Sequence, residues 1–135
     1  MSYARQMLDT HPGTLSLDAD LVANVVDALS DCAQACTACA DACLSEGEVG
    51  MLRDCIRLDL DCADQCATAG RVLSRHTDYD KGVVQAVLWA CAQLCAACAD
   101  ECERHASSHD HCRVCAEACR RCEEACRQVL HAVAA

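Results

Sequence analysis

Cysteine and histidine recur in this chain at steps of three and four residues, most densely at Cys91, Cys95, Cys98, Cys102, His105, His109, Cys112, Cys115, Cys119, Cys122 and Cys126. The same rhythm gives Cys32, Cys36, Cys39 and Cys43, and then Cys55, Cys62 and Cys66. Alternating steps of three and four keep side chains on one face of a helix. On that face an ordinary bundle carries Leu, Ile and Val; here it carries thiols. Asp59 stands in the slot where a cysteine would fall between Cys55 and Cys62.

Thiolates are soft ligands. Cu(I) prefers them and is content with two or three, and one thiolate can bridge two such ions. The 16 sulfurs could therefore hold on the order of one Cu(I) each. Zinc wants closed tetrahedral sites of about four ligands, so a zinc or cadmium buffer would use the same sulfurs less economically. The ligands must be deprotonated, so loading releases protons. An unliganded buried thiol behaves as a small hydrophobe, and the chain is expected to fold before any metal arrives.

Other uses of cysteine fit less well. The C-x-x-C pairs Cys36–Cys39, Cys95–Cys98, Cys112–Cys115 and Cys119–Cys122 lack the βαβ context of a redox dithiol. Iron–sulfur clusters call for local cysteine runs in loops. Core-filling cysteines would be scattered among Leu and Val rather than confined to one part of each helix. The first residues show no apolar signal region, so a reducing cytoplasm is the expected compartment and a disulfide scaffold is not. A thiol redox protein or sensor is the alternative from another class; it requires exposed, low-pKa cysteines.

Four helices must position these ligands. The chain has 135 residues and one proline, and no strand pattern of useful length appears. Residues 1–15 read as an N-terminal arm with one short amphipathic turn, where Met7 and His11 are candidate ligands against a packing role. Residues 16–133 read as the bundle. Its first helix is expected to start at Ser16 as N-cap, with Leu21, Val25 and either Leu29 or Ala28 opening the inner stripe. Ser45 and Glu48 are spaced as a capping box for the second helix. Asp78 is the expected cap of the third, and Ser108 or Asp110 of the fourth. Helices of about 25 residues, each ~37 Å long, joined by short turns, predict an all-α, up-down-up-down antiparallel four-helix bundle.

That topology gives the tube two different ends. Cys43, Cys55, Cys102 and Cys112 lie toward one of them, with His105, His109 and Asp59 as harder donors at a polar mouth. Leu21, Val25, Leu73, Val84, Leu88, Leu130 and Val133 close the other as an apolar plug. His105 and His109 are expected to serve as ligands or gateway residues; a solvated helix terminus is the plainer reading of both. Asp59 is expected either to act in the same way or to be a buried carboxylate bonded to His105. His111 steps off the stripe and is expected to be solvated. His76 and His131 read as structural. Asp41, Asp61, Asp64, Asp100, Glu103, Glu117, Glu123 and Glu124 fall on the outward face. The net charge of −10 leaves no basic footprint for nucleic acid, and no apolar run is expected to reach membrane-spanning length.

The segments Cys32-Ala-Gln-Ala-Cys36-Thr-Ala-Cys39-Ala-Asp-Ala-Cys43, Cys91-Ala-Gln-Leu-Cys95-Ala-Ala-Cys98-Ala-Asp-Glu-Cys102 and Cys115-Ala-Glu-Ala-Cys119-Arg-Arg-Cys122-Glu-Glu-Ala-Cys126 resemble the bacterial four-helix-bundle copper storage proteins. The absence of a signal region resembles their cytosolic branch. The resemblance spans about residues 16–133. It implies a core that fills with many Cu(I) ions through thiolates, a homotetramer, and copper admission at the histidine-bearing end. It names no copper donor or acceptor protein. Asp59 departs from a full cysteine stripe.

Overall fold

The computed structural model describes residues 2–134. Its helices are α1 (Ala4–Asp9), α2 (Ala19–Leu44), α3 (Arg53–Leu73), α4 (Lys81–His105) and α5 (Asp110–Ala132), with a short 3-10 turn, Val49–Leu52, leading into α3. No strand occurs among the described residues. Helices α2 to α5 form an antiparallel four-helix bundle in which α2 packs on α3 and α5, and α4 packs on the same two. The diagonal pairs meet only through side chains at the axis.

The helix starts differ from the expected caps. Asp18, not Ser16, caps α2, accepting from the Leu21 N–H at 3.0 Å. Asp80, not Asp78, caps α4, accepting from the Val83 N–H at 3.0 Å. A carboxylate at the cap satisfies an orphan N–H and also faces the positive end of the helix dipole. Asp78 takes a left-handed φ of 54° in the turn, a conformation that Asp tolerates better than most residues. The Ser45–Glu48 box does not form: Ser45 ends α2, and Glu48 precedes the 3-10 turn without a side-chain cap. At α5 the cap position falls to His109, which makes no capping bond, and Asp110 lies in the first turn.

The inner stripe of α2 starts at Val22 rather than Leu21. Counting back from Cys32 by three, four and three gives Leu29, Val25 and Val22, all fully buried. Leu21 falls on the adjacent ridge and is only partly covered. By the same count α5 buries Val129, Val133 just past its end is buried too, and Leu130 lies beside them. With Leu73, Val84 and Leu88 these residues plug the end opposite the thiols. Helix α1 packs on α2, burying Leu8 and pairing Arg5 with Asp9 at 3.0 Å and with Asp20.

One helix, α4, is long and apolar enough by length and composition to cross a membrane, contrary to the sequence expectation. Part of that apolarity is the face it turns inward, where Val84, Leu88, Cys91, Cys95, Cys98 and Cys102 are buried against the other helices, while Val83 and Trp89 stay exposed. The outward acids mostly meet arginines. Arg120 of α5 reaches Asp100 at 2.6 Å and Glu103 at 2.7 Å on α4, and Arg121 reaches Asp31 of α2 at 2.5 Å.

Candidate metal centre

All 16 cysteines are free and buried. Each helix presents its thiols inward because the three-and-four spacing holds them over the bundle axis, and the small residues between them let the helices approach. The sulfurs form a continuous column. Toward the plug, Cys66 lies 3.6 Å from Cys91, 3.7 Å from Cys95 and 3.9 Å from Cys122. Cys126 packs beside Cys91 and Cys122. In the middle, Cys32 lies 3.9 Å from Cys62 and 3.8 Å from Cys119, and Cys36 lies 3.5 Å from Cys119 and 4.0 Å from Cys98. Cys36 also receives the Cys115 thiol at 3.7 Å.

These separations suit shared ions. Two thiolates about 2.3 Å from one ion in a trigonal site stand ~4 Å apart. The sulfurs need only small shifts to take ions between them. Several four-sulfur groups have all members within 4.8 Å of one another, among them Cys32, Cys66, Cys95 and Cys122, and also Cys36, Cys98, Cys115 and Cys119.

Asp59 interrupts the column as its one enclosed carboxylate, fully buried on α3. Its Oδ1 accepts from Cys98 at 3.1 Å, Cys115 at 3.3 Å and Cys102 at 3.5 Å, while Cys55 donates to Oδ2 at 3.8 Å. Two expectations are corrected here. Asp59 is not at the mouth but a turn inside it. Nor does it bond His105, whose Nε2 instead meets Glu101 Oε2 at 2.8 Å. Glu101 lies one turn before His105 on α4 and within its reach, whereas Asp59 is already surrounded by thiols.

The mouth is built by His111, which the spacing had set aside as solvated. His111 Nδ1 lies 3.4 Å from Cys39 Sγ and 3.6 Å from Cys112 Sγ, and it groups with Cys39, Cys43 and Cys112 within 4.8 Å. Its Nε2 meets Glu46 Oε2 at 2.8 Å. The same Glu46 oxygen lies 2.9 Å from His109 Nδ1, and the two imidazoles stack at 5.5 Å. His109 therefore faces a carboxylate rather than a sulfur. Counting the stripe through residues 106–109 fails because the backbone leaves the helix there, so the register restarts at Asp110. Glu46 carries no periodic signal at all, since it lies in a turn.

The local electrostatics keep the unliganded thiols protonated at this end. Burial, with Cys55 beside it, pushes the Cys43 thiol up to about 11. Burial and the neighbouring Cys39 raise Cys112. The Cys55 thiol is raised by hydrogen bonds with Cys102 and Cys39, by burial and by the charge of Asp59. The Glu46 carboxyl is held below the usual carboxylate value by its hydrogen bond to His111.

Comparisons with known proteins agree with this architecture. The family model described as copper storage protein matches residues 18–131. The copper storage protein of Streptomyces lividans loaded with 10 copper equivalents is 56% identical, with a TM-score of 0.94, over 95% of this chain and 98% of that one. A cytosolic copper storage protein of Streptomyces lividans carrying five coppers is 61% identical, with a TM-score of 0.82, over 83% and 93% of the two chains. The Cu(I)-bound copper storage protein BsCsp3 of Bacillus subtilis is 39% identical, with a TM-score of 0.73, over 82% and 98%. No curated protein matches the chain. A sulfur-lined helical bundle, and a family match running from the cap of α2 nearly to the end of α5, together place this chain in the copper storage protein family.

Proposed function

We infer that the protein stores Cu(I) in the cytoplasm, sequestering many ions per chain in its thiol column and so limiting free copper. The observation that carries this reading is the run of Sγ···Sγ separations between 3.5 and 4.0 Å along the axis. Such a column offers bridging thiolates to a soft ion of low coordination number. The role is storage, not catalysis. The proposed ligands are the sixteen cysteines, with Asp59 as an internal oxygen donor and His111 as a nitrogen donor at the mouth. His105 and His109 belong to the gateway, tethered by Glu101 and Glu46. Relatives carrying five and ten coppers support a large capacity. The cytosolic description of one relative supports the compartment.

A thiol redox role has less behind it, because every cysteine is buried and a redox thiol must be reached by its partner. Assembly into a homotetramer is part of the same reading. The exposed apolar side chains Leu60, Val83 and Trp89 give a second copy something to cover; sedimentation of the apo and loaded protein tests it.

The deciding experiment is an anaerobic titration of the reduced protein with Cu(I) against a competing chelator, repeated with Zn(II). Tight uptake of roughly one Cu(I) per thiol, with far fewer Zn(II), is the expected result. Uptake of only a few copper ions, or zinc prevailing at about one ion per four thiols, overturns it.

A further inference from the structure

Beyond the apolar plug, the closed end of the bundle carries donor side chains that the thiol column does not use. Helix α1 and the turn after it lie over the start of α2 and the loop after α3. Together they enclose a cavity of about 280 Å³ whose lining includes Met7, Leu8, His11, Val26 and His76. His76 is its chemically unusual member. The side chain is 6% exposed, yet its Nε2 is the one buried side-chain nitrogen or oxygen without a hydrogen-bond partner among the described residues. The Leu73 carbonyl lies on the other side of the ring and favours a proton on the nitrogen facing it. With Nε2 unpartnered, its lone pair is free for a ligand once the ring proton sits on Nδ1, the usual state of a histidine ligand.

His11 stands opposite. The two rings are edge to face with centroids 6.2 Å apart. An ion about 2.0 Å from each of two imidazole nitrogens puts the ring centres roughly 6 Å apart, so the distance is of the right size and a rotation of the less buried His11 ring would bring both lone pairs onto one ion. Met7, on the last turn of α1 and 67% exposed, lines the same cavity. We propose that His11 and His76, with the Met7 thioether, form an auxiliary Cu(I) site at the closed end of the bundle, separate from the thiolate store.

Two imidazoles and a thioether suit a soft ion at low coordination number, whereas zinc lacks a fourth protein donor here. His11 Nδ1 accepts from the Gly13 N–H at 3.0 Å. Coordination through Nε2 moves the ring proton to Nδ1 and releases that N–H to solvent, which the exposed Gly13 can meet. Thiolates outcompete imidazole for Cu(I), so the site fills last. It holds one exchangeable ion at the surface while the rest are locked in the column.

The test starts from protein whose thiols are saturated with Cu(I), under anaerobic conditions. Further Cu(I) is added against a weak competing chelator while the histidine side-chain ¹H–¹⁵N signals are followed. One additional equivalent, shifting the His11 and His76 rings, is expected. His11→Ala should weaken that equivalent at least tenfold and leave thiol loading and helicity unchanged; His76→Gln should do the same to the binding. His105→Ala should leave it intact. The proposal is overturned if no further equivalent binds, if the two rings do not shift, or if His11→Ala binds it undiminished.

Discussion

Asp59 and Glu46 are the two carboxylates that set the chemistry of the column. Asp59 gathers four thiols around one buried carboxyl group, so a first ion arriving there meets an oxygen donor among sulfurs. Asp59→Asn keeps the volume and removes the carboxyl group. The expected outcome is a folded apo-protein that takes up its first ions roughly tenfold more slowly, read by stopped-flow absorbance; uptake at the parent rate would remove Asp59 from the loading path. Glu46 acts through His111, holding Nε2 so that Nδ1 faces Cys39 and Cys112. Glu46→Gln should weaken the mouth ions by about tenfold without changing the total count. A chelator competition on the loaded protein distinguishes the two populations. The thiols add a pH dependence. With Cys43 raised to about 11, it is protonated at neutral pH, so the first ion it binds displaces its proton and affinity rises with pH. Proton release measured during anaerobic loading should accompany uptake and shrink as the pH approaches that value.

At the scale of the elements, stability and storage occupy different lengths of the same helices. The plug residues Leu29, Leu73, Leu88 and Val129 are fully or almost fully buried and hold the apo bundle together. Leu88→Ala should cost about 2–5 kcal/mol in denaturant unfolding of the apo-protein. A thiol deeper in the column, Cys95→Ala, removes a small, weakly hydrophobic group and should cost far less. Equal losses would mean that the thiols contribute to the apo core as much as the leucines. Helix starts matter on a smaller scale: Asp18 caps α2 through the Leu21 N–H, worth about 1 kcal/mol. The loop after α3 carries its own pH sensitivity. Burial and the nearby His11 lower His76 from its ordinary 6.5, so between its folded value and 6.5 the unfolded chain binds more protons. Stability is therefore complete above about pH 6.5 and declines as the pH falls toward the folded value. His76→Gln should flatten that limb of the apo-protein's melting curve against pH.

For the whole molecule, metal and fold are linked by mass action: ions that bind only the native column raise its apparent stability, so the loaded protein should melt well above the apo form. Much of this architecture was legible beforehand. Spacing of three and four placed every cysteine on an inward face, the single proline outside the helices left four long elements, and short turns between them left an antiparallel bundle as the consistent answer. Periodicity works here because it survives any change in the side chain's chemistry: a thiol stripe obeys the same geometry as a leucine stripe. What it could not supply depends on breaks in the helix and on contacts across the chain. His111 enters the site because the backbone leaves the helix at His109 and restarts the register. Glu46 reaches both imidazoles from a turn sixty-five residues earlier in sequence than His111. Asp59 was visible as an exception to its stripe, but only packing decided that it would face Cys55, Cys98, Cys102 and Cys115 rather than His105. The sequence by itself determined the helices, the inward thiols and the soft-metal chemistry, because these follow from local repeat and residue type. The tertiary structure alone decided which carboxylate holds which histidine and which sulfurs are neighbours, because those pairings are made between helices and turns that the repeat does not connect.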